Sequence, residues 1–151
     1  MRIVVQRVDR VDLKADGEQG DRMEKGVLAL VGLKEGDDSE KVMAYMADKL
    51  LNLRIFEDEN GKMNLSAADV GASVFLVSNF TLYGDCRHGR RPGYSDGASP
   101  DAARSIYGRF LEYLRSVSCV PVHSGVFQAE MKIGCTLDGP VTLLIDSEKA
   151  F

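Results

Sequence analysis

Apolar and polar residues alternate from the first positions of the chain. Ile3, Val5, Val8, Val11 and Leu13 fall at strand spacing, so the opening segment reads as a half-buried β-strand. Asp16-Gly17 marks a hairpin turn, because both residues tolerate positive φ. Residues 27–31, Val-Leu-Ala-Leu-Val, form an unbroken apolar run that reads as a strand buried on both faces. Gly36-Asp37-Asp38 ends it. Val42, Met46, Leu50 and Leu53 then recur at helical spacing, and the pattern predicts an amphipathic helix over 39 to 52. Asp37 and Glu40 stand three residues apart before it, the spacing of a capping box.

Asn60-Gly61 is a second hairpin turn, with Glu57, Asp58 and Glu59 as its solvated tip. Residues 74–77 form another buried strand that runs into Ser78-Asn79-Phe80-Thr81-Leu82. Residues 84–98 are rich in Gly and Arg and read as an irregular loop. Ser99-Pro100 supplies an N-cap and an N1 proline for a second helix, with Ala102, Ile106, Phe110 and Leu114 on one face. Val120 and Val122, then Met131, Ile133, Cys135 and Leu137, alternate as strands. Gly139-Pro140 breaks the pattern before a final strand over 141–145. The order β-β-β-α-β-β-α-β-β-β predicts an α+β fold, one compact domain spanning 1–151 with two main helices.

Composition supports a packed core: 44% of the 151 residues are hydrophobic and no run reaches the length of a membrane span. The opening residues lack the apolar block of a signal peptide, so the chain is expected to be cytoplasmic and without a membrane partner. Cys86, Cys119 and Cys135 are odd in number and widely spaced, which speaks against disulfides and zinc; they read as small, buried or half-buried groups. With His88 and His123 far apart, each a surface residue, no metal and no cofactor is expected. A formal charge of −4 excludes a long nucleic-acid-coating surface, and no DNA partner is expected. The local cluster Arg87-His88-Gly89-Arg90-Arg91 still suits a grip on the end of an RNA.

Two segments are candidates for chemistry. Ser78 to Leu82 puts hydroxyl and amide groups at the end of an apolar strand. It is either an ordinary strand-end turn or a place where backbone N–H groups converge on a developing oxyanion. Gly139-Pro140 is either a simple turn or a kink, permitted by the low cost of a cis peptide before proline, that aims two carbonyls one way. No GxSxG elbow, P-loop or dinucleotide fingerprint is present.

Taken together the blocks resemble the D-aminoacyl-tRNA deacylases over nearly the whole chain. They are Gln6-Arg7-Val8, Leu51-Asn52-Leu53-Arg54-Ile55-Phe56, Gly61-Lys62-Met63-Asn64-Leu65-Ser66, Val77 through Asp85, Arg91-Pro92 and Asp138-Gly139-Pro140-Val141-Thr142. The resemblance implies a strand-rich mixed sheet with a barrel-like core, and a homodimer with active sites at the interface. It implies hydrolysis of the ester joining a D-amino acid, or glycine, to the 3′ end of tRNA. It also implies roles for residues. Ser78, Asn79, Phe80 and Thr81 line one subunit's pocket; Gly139 and a cis Pro140 of the other enter it to receive the ammonium; Arg7 holds that segment; Met131 contacts substrate. Arg87, Arg90 and Arg91 are expected to meet tRNA phosphates. Thr81 is either a nucleophile lacking an evident base or a shaper of the pocket. The chain departs from the family pattern in three places. Asn79 stands for a longer Gln, Leu137 for an Asn, and Phe127-Gln128-Ala129-Glu130-Met131 for Phe-Gly-Ala-Asp-Met. Restoring Gln at position 79 is expected to leave activity equal or higher. The readings set against a deacylase of this kind are a non-catalytic dimeric nucleic-acid-binding paralogue and a deacylase of shifted amino-acid specificity.

Overall fold

The computed structural model describes residues 1–150. Its elements are β1 (Arg2–Ala15), β2 (Glu18–Met23), β3 (Gly26–Gly32), α1 (Glu40–Asn52), β4 (Phe56–Glu57), β5 (Met63–Leu65), α2 (Ala67–Val70), β6 (Ser73–Ser78), a 3-10 helix (Phe80–Tyr83), α3 (Pro100–Val117), β7 (Val122–Ser124) and β8 (Met131–Asp146). This is the α+β domain the pattern predicts, with a mixed sheet bent into a nearly closed barrel.

β1 is the spine. Along one edge it pairs antiparallel with β3 and then β2; along the other it pairs with β8 from end to end. β3, β6 and β7 continue the sheet in parallel. His123 on β7 lies 3.1 Å from Asp21 on β2 through Nδ1, which draws the two ends of the sheet together. The ring of His123 also stacks on Phe75. It is therefore half-buried and structural, not the surface histidine expected; the near-closure of the barrel makes the difference. His88 is exposed, as expected.

Two cores explain the apolar runs. α1 and α3 pack Met46, Leu50, Phe110 and Leu114 against Val27, Ala29, Val31, Val74 and Leu76. The opposite faces of the same strands, Leu28, Phe75 and Val77, meet Val8, Val11 and Leu13 inside the barrel. β3 and β6 are thus buried on both faces, and each large side chain so enclosed contributes about 1.5–3 kcal/mol.

Several local expectations are corrected. Ser39, not Asp37, caps α1, accepting from the Val42 N–H. Asp37 is buried and turned inward, taking the Lys34 N–H at 2.6 Å and the Met1 amine. Pro100 does open α3, but the Ser99 side chain makes no capping bond. The short helix α2 carries its own capping box between Ser66 and Asp69. The final two strands are one, β8, which runs through Gly139-Pro140. All three cysteines are exposed. Cys135 follows the alternation of β8, but β8 is an outer strand, so the face that would cover it is open.

Candidate active site

The register of β8 on β1 builds the first half of the site. Gln6 pairs with Thr142 and Val8 with Leu137, so residues 138–141 span the single position of Arg7. The extra residues loop outward. At their apex Gly139 has φ +114, and the Gly139-Pro140 peptide is cis. A Cβ at Gly139 would sit 2.9 Å from the Val141 amide nitrogen and Cγ2, so both backbone conformation and space require glycine. Beneath the loop Arg7 is buried. Its guanidinium donates to the Ile55 carbonyl at 2.7 Å, and Nε faces the Asp138 carboxylate at 2.8 Å, an ion pair out of line for a hydrogen bond. Arg7 fastens the base of the loop, while Gly139 and Pro140 themselves are exposed.

The second half lies at the carboxyl end of β6. Asn79 leaves the sheet after donating to the Val31 carbonyl at 2.7 Å and becomes the N-cap of the 3-10 helix. Gly32 makes this turn possible: a Cβ there would stand 2.8 Å from Leu82 Cβ. Tyr83 anchors the far end of the helix, buried under the Arg2 guanidinium at 4.6 Å, and burial pushes its phenol well above the ordinary range. The Asn79 carboxamide oxygen accepts from the Thr81 N–H at 3.2 Å and from the Thr81 hydroxyl. The Thr81 N–H is thereby occupied. Among the described residues the Phe80 N–H has no partner, and it is the free donor at this helix end.

Ser78, Asn79 and Phe80 border a cavity of about 540 Å³. Val31 and Leu33 form its floor, Ala98, Pro100 and Ala103 one wall, and Phe127, Gln128, Ala129 and Met131 the other. None of these twelve residues is ionisable. No group of acidic, His or Cys side chains suited to a metal occurs among the described residues. Thr81 sits beside the cavity without lining it, and Arg7, Gly139 and Pro140 lie elsewhere in the same chain. Met131 borders the cavity together with Ser78, Asn79 and Phe80.

The basic loop is tethered next to this opening. Asp85 and Gly93 bridge each other at its base, and Tyr94 packs edge-on against Phe80 at 5.1 Å. Arg87 is not free. Its side chain makes two 2.8 Å bonds to Asp85, which hold that carboxyl at about 2. Arg90 and Arg91 are exposed, and among the described residues neither has an acidic partner. Sequence reasoning passed over Tyr94 and Arg104 and took Pro100 only as a helix start, because Arg104 and Pro100 reach the cavity only when α3 closes over the strand end, and Tyr94 only when its loop folds back onto Phe80.

Fold and site define a class: α+β near-barrels whose cleft is built at a strand end from hydrogen-bonding and apolar groups, with no ionisable side chain in it. The family model described as D-Tyr-tRNA(Tyr) deacylase matches residues 4–146. A D-aminoacyl-tRNA deacylase of Clostridioides difficile (strain 630) is 50% identical over 151 residues, covering all of both chains. Among solved structures, a c-Myc DNA unwinding element binding protein superposes with TM-score 0.90 at 35% identity, covering 97% of this chain and 98% of its own. A probable eukaryotic D-amino acid tRNA deacylase shares the fold at TM-score 0.82 and 18% identity, over 95% of this chain and 97% of its own. The chain belongs to the D-Tyr-tRNA(Tyr) deacylase family.

Proposed function

We propose that this protein hydrolyses the ester between a D-amino acid and the terminal ribose of tRNA, as a homodimer in the cytoplasm. The observation that carries the reading is the unpaired Phe80 N–H beside a cavity free of ionisable groups. An aminoacyl ester is already activated, so placing it and stabilising its oxyanion is sufficient chemistry. Water attacks the carbonyl, the tetrahedral oxyanion takes the Phe80 N–H, and the C–O bond breaks with the ribose oxygen taking up the proton that water loses. Ser78 and Met131 shape the cavity for the terminal nucleoside.

Thr81 acts by position, not as a nucleophile. Its proton points to an amide oxygen, which is no base, while its lone pairs face outward to accept from the substrate. The exposed Gly139-Pro140 loop reaches the cavity of a second subunit, where its carbonyls take the ammonium and leave no room for an L side chain. Glycine, lacking a side chain, passes the same filter. Support for the dimer comes from β8, 16 residues long: one of its edges pairs with β1, no strand among the described residues pairs with the other, and Leu137, Leu143 and Leu144 are exposed beside it. Arg90 and Arg91 meet tRNA phosphates; Arg87 orders the loop through Asp85.

The similarity to a c-Myc DNA unwinding element binding protein gives a second reading, a nucleic-acid-binding protein without turnover. The formal charge of −4 and the internal pairing of Arg87 weigh against duplex binding. Incubation with D-Tyr-tRNA, L-Tyr-tRNA and Gly-tRNA decides. Loss of ester from the D- and glycyl forms, with L-Tyr-tRNA intact, is the expected result. Persistence of D-Tyr-tRNA at stoichiometric protein overturns the enzymatic reading.

A further inference from the structure

Gln128 lies at φ +64, a left-handed conformation that non-glycine residues seldom occupy. It lines the cavity, and its side-chain oxygen accepts a hydrogen bond from Arg104 Nη2. The Arg104 guanidinium lies over the ring of Phe127, 5.0 Å from its centroid, and Phe127 lines the cavity too. Arg104 stands on α3, one turn beyond Pro100, and Pro100 and Ala103 of the same helix border the opening. Among the described residues the partners of Arg104 are Gln128 and the Phe127 ring, with no carboxylate among them. An arginine clamped between an amide and an aromatic face, with its charge uncompensated, is prepared for an anion.

We propose that Arg104 binds the 5′-phosphate of the terminal nucleotide of the tRNA, and that Gln128 is its positioning residue. This rests on the reading that the cavity takes the tRNA 3′ end. The floor and walls are apolar and suit a base, and a base held there carries its phosphate out to the rim, where Arg104 waits. The amide of Gln128 accepts one guanidinium N–H and Phe127 supports the plane, leaving the remaining N–H groups for phosphate oxygens. The left-handed backbone at position 128 is what turns the side chain toward α3.

The test compares two small substrates, 3′-O-(D-tyrosyl)adenosine with and without a 5′-phosphate, alongside D-Tyr-tRNA. Wild-type protein should show a KM about tenfold lower for the phosphorylated ester, the size of one charge-assisted contact, with kcat unchanged. Arg104→Gln should abolish that difference and leave the unphosphorylated ester untouched. Gln128→Ala should lose part of it, and Arg104→Lys should restore part. Because Arg104 is exposed, its replacement leaves the fold in place, which circular dichroism verifies. A phosphate advantage absent from wild type, retained by Arg104→Gln, or accompanied by equal losses on both esters overturns the proposal. Failure of wild type on D-Tyr-tRNA itself overturns the underlying reading instead.

Discussion

Asn79 is one methylene shorter than glutamine, and that length decides what its oxygen reaches. From the N-cap it takes both the N–H and the hydroxyl of Thr81, as short amide side chains do at helix starts. This geometry favours the shorter side chain over the glutamine that was expected to serve equally well, and the two outcomes are opposite in sign. Asn79→Gln should lower kcat severalfold, and Asn79→Ala more, with about 0.5–2 kcal/mol lost from a cap. Single-turnover deacylation of D-Tyr-tRNA measures this. The make-up of the cavity also sets the pH dependence. With no ionisable side chain lining it, kcat between roughly pH 5 and 8 should show no inflection belonging to an enzyme group. The nearby Asp85 does not disturb this window. Its carboxyl is depressed in the folded state by the side chain and then the backbone N–H of Arg87, to about 2. Its contribution is accordingly fully present above the ordinary carboxylate range and is lost progressively as the pH falls from that range through about 2. A pH–rate profile at saturating substrate checks the point, and a bell-shaped curve in that range would contradict it.

β8 shows how an element carries function through its irregularity. Its pairing with β1 departs from the regular ladder at two places, residues 138–141 opposite Arg7 and a smaller register shift between Val8 and Arg10, where Asp9 is the extra residue. The departure at 138–141 is held from below by Arg7 through Ile55 and Asp138. Gly139→Ala would place a methyl 2.9 Å from Val141 at a φ of +114. The loop should shift while the ladder on either side survives. Activity on D-Tyr-tRNA should fall at least tenfold, with the melting temperature lowered by only a few degrees, since the strain amounts to about 1–3 kcal/mol. Parallel calorimetry and deacylation assays separate the two effects. A variant that keeps wild-type activity would remove the loop from the mechanism.

Among the described residues nothing pairs with one edge of β8, the longest strand of the molecule. Leu144 is 58% exposed and Leu137 46%, on a strand whose neighbours are otherwise well packed. A second copy covering this face would bury them and bring each Gly139-Pro140 loop to the other subunit's cavity. Leu144→Lys should weaken that contact without touching either half of the site. Light scattering should show a shift from twice the 16.6 kDa chain mass toward the single mass, with activity falling in proportion to the dimer lost. A wild-type protein that is active as a monomer would end the shared-site reading.

The hydrophobic pattern by itself determined the buried central strands, the two long helices and the class of fold, though not that the last two strands are one. Alternation and helical periodicity are local, and residues such as Val74 to Val77 or Met46 and Leu50 declare their burial wherever the chain goes. The Ser78 to Thr81 and Gly139-Pro140 segments were also legible, because polar groups at a strand end and a Gly-Pro pair inside a strand break that periodicity. Tertiary structure alone decided the rest. Whether Asp37 caps a helix or turns inward, whether His123 is surface or strut, and whether Cys135 is covered depend on which strands end up as neighbours. The placing of Arg104 and Gln128 at the cavity rim depends on α3 closing over β6. Those are contacts between residues far apart in sequence, and no periodicity encodes them.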